Sequence, residues 1–282
     1  MWTLHDCWPF AGRCAHFDLS GCDQWKTGCQ KCPKGTRRDY PAAYLLNCPG
    51  RIQKEKLNAI RLLSEDLTFV SPSRWLQSFF SESMLKGFPC LCIPNGIQES
   101  HLESPVPSSE KIILFAAAYP FSSRKGFDDI VKLSKRLDYE RFELVVAGLR
   151  DDQASLLDPR SKTAGIVRDS EKMHRLFSAA DYFLNPTYQD NFPTVNIESL
   201  ASGTPVITYD TGGSAEMLSP ETGYVVKKGD FDSLMRLIDE LDKTSSGERD
   251  SCYQQASIFT DQKMGEKYYE LFASLPSRNK PN

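Results

Sequence analysis

The 282 residues are 25% charged, 40% apolar and 11% aromatic, which excludes disordered and fibrous chains and suits one large or two smaller globular domains. No apolar run nears the roughly 18 residues of a membrane span; the longest, Ile112 to Phe121, is interrupted by Tyr119 and Pro120. The start, Met1-Trp2-Thr3-Leu4-His5-Asp6, lacks the basic-then-apolar make-up of a signal peptide, so a cytoplasmic chain is expected. Net charge is −3 but uneven: residues 1–61 carry 10 Lys+Arg against 5 Asp+Glu, the remainder 24 against 32. Such a basic segment suits a phosphate-bearing ligand or an anionic membrane surface, and equally a set of solvated lysines.

Along the first hundred residues only Trp2–His5, Leu67–Ser71 and Cys90–Ile93 read as strands, separated by a cysteine-rich irregular stretch and two helices. Three short parallel strands leave an open edge and uncovered helix faces, so residues 1–98 are expected to be a partial first domain with an N-terminal portion missing. The open edge predicts a homodimer or poor solubility. Pro94-Asn95-Gly96 and the Pro/Ser/Glu-rich stretch to Glu110 read as a hinge, with 99–110 as the linker.

From Lys111 the pattern alternates. Ile112–Ala116 reads as a strand, Phe127, Ile130, Val131, Ser134 and Leu137 as a helix face, and Phe142–Ala147 as a strand. Met173, Leu176, Phe177 and Ala180 share a helix face before the strand Tyr182–Leu184. A helix from Thr194, the strand Pro205–Tyr209, a short helix near Ser214, the strand Gly223–Val226 and a helix carrying Phe231, Leu234, Ile238 and Leu241 follow. The count is six strands, and the alternation predicts a doubly wound α/β domain over 111–245. The remainder, 246–282, reads as a C-terminal helix and tail, with Asp250–Leu275 packing back across the hinge.

The segment from Tyr188 to Val206 is the most informative. A Pro193-Thr194 start and Gly203 and Pro205 as stop signals define a short helix after a strand, its N-terminal amides aimed at the carboxyl edge of the sheet. Glu198 lies one turn in, and Asp190 precedes the helix. Asp190 and Glu198 with seven residues between, then Gly203-Thr204-Pro205-Val206 and Thr211-Gly212-Gly213-Ser214-Ala215-Glu216, resemble glycosyltransferase family 4. Lys125-Gly126, Val70-Ser71-Pro72-Ser73, Ile93-Pro94-Asn95-Gly96-Ile97 and Asn185-Pro186-Thr187 sit in the family's order. Thr3-Leu4-His5-Asp6 with Trp8-Pro9-Phe10 is similar to a cysteine-bearing branch of bacterial polysaccharide enzymes.

The resemblance implies the GT-B fold, with a complete C-terminal Rossmann-like domain and an incomplete N-terminal one. It also implies retaining transfer of a sugar from a UDP- or GDP-linked donor to a glycan or lipid-linked acceptor, at the inner face of the membrane, with no metal or cofactor in catalysis. Carried onto this sequence, Glu198 holds the ribose hydroxyls, while Asp190 and the segment Asn191, Phe192, Pro193 and Thr194, through the main-chain amides its non-proline residues offer, hold the transferred sugar and its phosphate. Lys125, with Arg124 beside it, neutralises the departing diphosphate. His5 meets the donor sugar or acceptor, and Gly212 and Gly213 turn close to the phosphates. Asp190 stands where many members have Glu, and the family's usual Arg falls here near Tyr119-Pro120. Two other readings remain: a nucleotide-sugar-binding fragment without catalysis, and a GT-B sugar epimerase. No nucleic-acid motif is present.

Five of nine cysteines fall in residues 7–32. Cys14, Cys22, Cys29 and Cys32, with His16 as an alternative ligand, suit a structural zinc ion, and reduced thiols suit the same pattern. Cys7, Cys48, Cys90, Cys92 and Cys252 are expected to pack as small apolar residues. Trp75, Phe79, Phe80 and Lys86 read either as core or as a membrane-facing helix.

Overall fold

The computed structural model describes residues 1–17, 20–30, 32, 48–63, 67–98 and 109–275. Most of the expected linker, 99–108, and the tail from 276 lie outside the described residues.

The first unit holds β1 (Trp2–Thr3), α1 (Gln24–Thr27), α2 (Pro49–Leu63), β2 (Phe69–Ser71), α3 (Arg74–Glu82) and β3 (Cys90–Cys92). The strands form one parallel sheet in the order β1-β2-β3, so both β1 and β3 have an open outer edge among the described residues. Its core is aromatic: Phe10, Phe17, Trp25, Phe69 and Phe80 are buried with Leu4, Leu57, Ile60 and Leu76. Trp75 and Phe79 are half-buried against this cluster, Phe79 meeting Phe17 at 5.5 Å and Trp25 at 5.4 Å between ring centroids. These rings turn inward, so the membrane-facing reading of α3 gives way to the core reading; Lys86 alone of that set is exposed. Gln53 of α2 is 2% exposed and fully used. Its amide donates to the carbonyls of Phe10 (2.8 Å) and Trp25 (3.0 Å), and its oxygen accepts from the Cys29 amide (2.6 Å), which fastens the irregular stretch to α2.

The second unit runs through β4 (Ile112–Ala117), α4 (Phe127–Arg136), β5 (Phe142–Ala147), α5 (Asp151–Ala154), β6 (Lys162–Gly165), α6 (Ser170–Ser178), β7 (Tyr182–Asn185), α7 (Thr194–Ala201), β8 (Val206–Tyr209), β9 (Gly223–Val226) and α8 (Phe231–Asp239). Its six strands are all parallel, in the order β6-β5-β4-β7-β8-β9. The order reverses between β4 and β7, which opens a crevice at their carboxyl ends. Apolar clusters fill both faces: Leu114, Ile130, Leu133, Leu144 and Ile238 on one, Phe115, Phe177, Phe183, Ile197 and Leu200 on the other. Two sequence expectations need correction. The sixth strand, counted but not located, is β6, whose Lys-Thr-Ala-Gly has no apolar alternation. The short helix near Ser214 is instead a run of linked turns, with Ser214 bonding back to Thr211, Glu216 to Gly213 and Leu218 to Ala215.

After α8 come α9 (Ser246–Ala256) and α10 (Asp261–Ser274). They split at Thr260, whose hydroxyl accepts from the Lys263 amide at 3.2 Å and starts the new helix. The buried Arg249 donates to the carbonyls of Ala180 (2.9 Å), Gly203 (3.2 Å) and Ser178 (3.4 Å), tying α9 to the second unit. By contrast α10 crosses to the first, so of the single stretch expected over Asp250–Leu275 only the second part packs back across the hinge. Leu271 packs on Val70 and Ile93, and the Tyr268 and Thr3 hydroxyls lie 3.1 Å apart. Where the chain passes between the units, Ile97 pairs with the Thr260 segment through the Phe259 carbonyl and the Asp261 amide.

Candidate active site

The loops after β4, β7 and β8 meet at the crevice, faced by the loop after β1 and the start of α3. Ser123–Lys125 forms a single tight turn ending at Gly126, which has φ +82°. A Cβ on Gly126 would fall 2.2 Å from the Pro186 carbonyl oxygen, so only glycine lets the lysine turn lie against the loop after β7. The two are then stitched together: the Arg124 carbonyl accepts from the Tyr188 amide (2.9 Å) and the Thr187 hydroxyl (3.3 Å), and its guanidinium donates to the Gln189 carbonyl (3.3 Å).

This brings Lys125 and Asp190 into an ion pair between Nζ and Oδ2, with side chains 27% and 17% exposed. The next residue, Asn191, is buried and spans the crevice. Its amide donates to the His5 carbonyl, and its own carbonyl accepts from Gly213 (3.0 Å). His5 therefore reaches the site by its main chain, with its imidazole exposed. The Phe192 ring is buried and meets Phe259 at 5.9 Å, so its side chain belongs to the core and the role expected of it rests on its main-chain amide. Pro193 precedes α7 without a side-chain cap, leaving the first-turn amides uncovered by side chains.

One turn into α7, Glu198 is half-buried and hydrogen-bonded to Thr194. Burial pushes its carboxyl above the ordinary glutamate range, and the Thr194 bond opposes this. Asn196, which sequence reasoning missed, accepts from the Asn185 amide (2.7 Å) and donates to the Ser214 carbonyl (3.4 Å), holding α7 to β7 and to the turn after β8. Gly212 has φ +57°, and a Cβ there would overlap the Asp190 carbonyl oxygen at 1.6 Å. The two glycines thus serve close packing of two loops, Gly213 also lying against Ser73 of the first unit. Glu216, quoted in the motif without a role, accepts from the Arg74 (2.8 Å) and Trp75 (2.7 Å) amides at the N-terminus of α3. It bridges the units as a capping carboxylate.

Three buried polar atoms at this junction have no hydrogen-bond partner: Asn191 Oδ1, Thr211 Oγ1 and Ser214 Oγ. Unsatisfied groups beside an uncapped helix start suit a polar ligand, the two hydroxyls and the helix amides as donors and the Asn191 oxygen as an acceptor.

The cysteines are not assembled in the same way. Cys14, Cys22, Cys29 and Cys32 are all half-buried, and Cys29 lies near enough to Cys22 and Cys32 for their charges to raise its thiol, after burial as the main cause. Among the described residues, no group of three or more His, Cys, Asp or Glu side chains is placed to hold a metal ion. Cys7 and Cys252 are buried as expected; Cys48 is exposed, contrary to expectation.

The model of the family described as Glycosyl transferases group 1 matches residues 96–258, more than half of the chain. The putative colanic acid biosynthesis glycosyl transferase WcaC of Escherichia coli (strain K12) is 27% identical over 98% of this chain and 68% of its own length. The capsular polysaccharide biosynthesis glycosyltransferase CapM of Staphylococcus aureus is 35% identical over 23% of this chain and 17% of its own. Among solved structures, sucrose-phosphate synthase from Thermosynechococcus elongatus superposes with TM-score 0.61 at 22% identity, covering 78% of this chain and 62% of that one. HepE of Anabaena, solved in complex with UDP and glucose, superposes with TM-score 0.63 at 16% identity, covering 80% and 69%. The chain thus spans less than two thirds of the synthase, and about a third or less of most curated relatives it matches. The matched residues include Lys125, Asp190, Glu198 and the whole of α7, so sequence and fold converge on one conclusion: the chain belongs to the glycosyl transferases group 1 family.

Proposed function

We propose that this chain is a retaining glycosyltransferase that moves a sugar from a nucleotide-diphospho-sugar to a glycan or lipid-linked acceptor in surface polysaccharide assembly. The observation that carries the reading is the Lys125–Asp190 ion pair set beside the uncapped start of α7. A departing nucleoside diphosphate develops negative charge as the sugar develops positive charge, so a cation and helix-terminal amides belong on the diphosphate and a carboxylate beside the sugar. On donor arrival Lys125 exchanges Asp190 for the diphosphate, and Asp190 is released to accept from the sugar hydroxyls. Thr211 and Ser214 hydroxyls find their missing partners on the phosphates, and Glu198 accepts from the ribose. The acceptor enters from the His5 side and attacks the face the diphosphate leaves.

The polysaccharide setting is supported by the colanic acid and capsular relatives, and a nucleotide-sugar donor by the fold shared with HepE, whose complex holds UDP and glucose. No described helix is long and apolar enough to cross a membrane, and we place the reaction at the cytoplasmic face, where nucleotide sugars are available. The reading is tested by following release of nucleoside diphosphate from UDP- and GDP-sugars. Glu198→Ala should lower donor turnover by about a hundredfold or more. Binding of donor without turnover in the unaltered chain would instead select the non-catalytic module.

A further inference from the structure

Two residues into α4, Asp129 is 1% exposed. A carboxylate so deeply placed needs partners, and it has three. Oδ2 accepts from the Tyr188 hydroxyl at 2.6 Å and from the Tyr209 hydroxyl at 2.8 Å, and Oδ1 pairs with the Lys132 ammonium at 2.9 Å. The two tyrosine rings meet edge to face, centroids 5.5 Å apart. Burial and the neighbouring carboxylate push the Tyr188 hydroxyl up to about 12 and raise Tyr209 as well, so both stay protonated donors at neutral pH.

The positions of these residues give the contact its meaning. Asp129 follows Lys125 by four residues, Tyr188 precedes Asp190 by two, and Tyr209 ends β8 just before the Thr211–Ser214 turn. One buried oxygen therefore joins the three loops that carry the ion pair and the unsatisfied hydroxyls. When Lys125 turns from Asp190 to a diphosphate, the direct link between their side chains is lost. The loops must then be held by groups that do not touch the ligand.

We infer that Asp129 is a positioning residue: through Tyr188 and Tyr209 it fixes the loops bearing Lys125 and Asp190, so that the ion pair opens onto a diphosphate without the main chain moving. This rests on the reading of the Lys125–Asp190 pair given above. A purely structural Asp129 would weaken ligand binding by the same factor whether or not Lys125 is present; a positioning one loses most of its effect once Lys125 is gone.

The test is a calorimetric titration with whichever of UDP, GDP and ADP binds, on Lys125→Ala, Asp129→Asn and the double variant. Lys125→Ala should weaken binding about tenfold and Asp129→Asn about fivefold, while in the Lys125→Ala background Asp129→Asn costs less than about twofold more. Equal losses from Asp129→Asn in both backgrounds, or none in the unaltered chain, overturn the inference. Should Asp129→Asn fail to fold, Tyr188→Phe and Tyr209→Phe remove one hydroxyl each, and the same non-additivity with Lys125→Ala is expected; unchanged affinity in the Tyr188→Phe/Tyr209→Phe double variant overturns it. If Lys125→Ala binds as well as the unaltered chain, or if none of the three nucleotides binds, the reading of the pair itself fails and the inference with it.

Discussion

Glu198 sits where stability and function pull in opposite directions. Its carboxyl is raised by burial, so in the folded chain the ionised form is disfavoured relative to the unfolded one. The sign follows: stability falls as pH rises from the ordinary glutamate range through the raised folded value, and the full penalty is present at neutral pH. Glu198→Gln, which keeps an oxygen for Thr194, should therefore raise the melting temperature at pH 7 by about 2 °C, a gain that disappears near pH 4. Calorimetric scans at the two pH values check this, and a loss of stability at pH 7 would contradict it. Glu198, Asp190 and Lys125 were singled out by the resemblance of their motifs to the family, and the structure brings Lys125 and Asp190 together and sets Glu198 one turn into α7. The roles of Asn196, Glu216 and Asp129 were not legible in the sequence, since an Asn in a helix, or a carboxylate near a helix start, looks the same in sequence whether it is solvated or buried against another loop.

At the scale of elements, apolar periodicity located the long helices and the central strands, β4, β5, β7 and β8, each lying almost wholly within apolar surroundings. It could not place β6, which is polar and sits on the sheet's edge, nor the turns after β8, where Gly212 and Gly213 follow the demands of Asp190 and Asn191 rather than a helix. The aromatic run of α3 was ambiguous in sequence because a core stripe and a membrane stripe have the same spacing. Its partners lie where no periodicity reaches, Phe17 in an irregular stretch and Trp25 in the four-residue α1. The last helix was legible as an unpartnered element, and its seat on the first sheet gives a direct test. Leu271 is 8% exposed between Val70 and Ile93, so Leu271→Ala should cost about 2–3 kcal/mol, read as a lower urea midpoint. A variant as stable as the unaltered chain would show that α10 does not hold the first unit.

In the whole molecule, two parallel sheets face one another across a crevice, and the chain crosses between them twice, near Ile97 and again from α9 into α10. Two further contacts bridge the crevice itself: the Asn191 amide on the His5 carbonyl, and the Glu216 carboxylate on the first amides of α3. Both lie at carboxyl ends of strands, where the parallel topology gathers loops from distant parts of the sequence. This convergence could not be read from periodicity, since it depends on the strand order β5-β4-β7-β8 rather than on any one segment. On the proposed function, this crevice binds a nucleoside diphosphate through Lys125, Asp190, Glu198 and the start of α7. The most direct measurement is a calorimetric titration of the chain with UDP, GDP and ADP. Micromolar binding of one of them, about −8 kcal/mol, is the predicted result, and no binding of any at millimolar concentration would contradict the account.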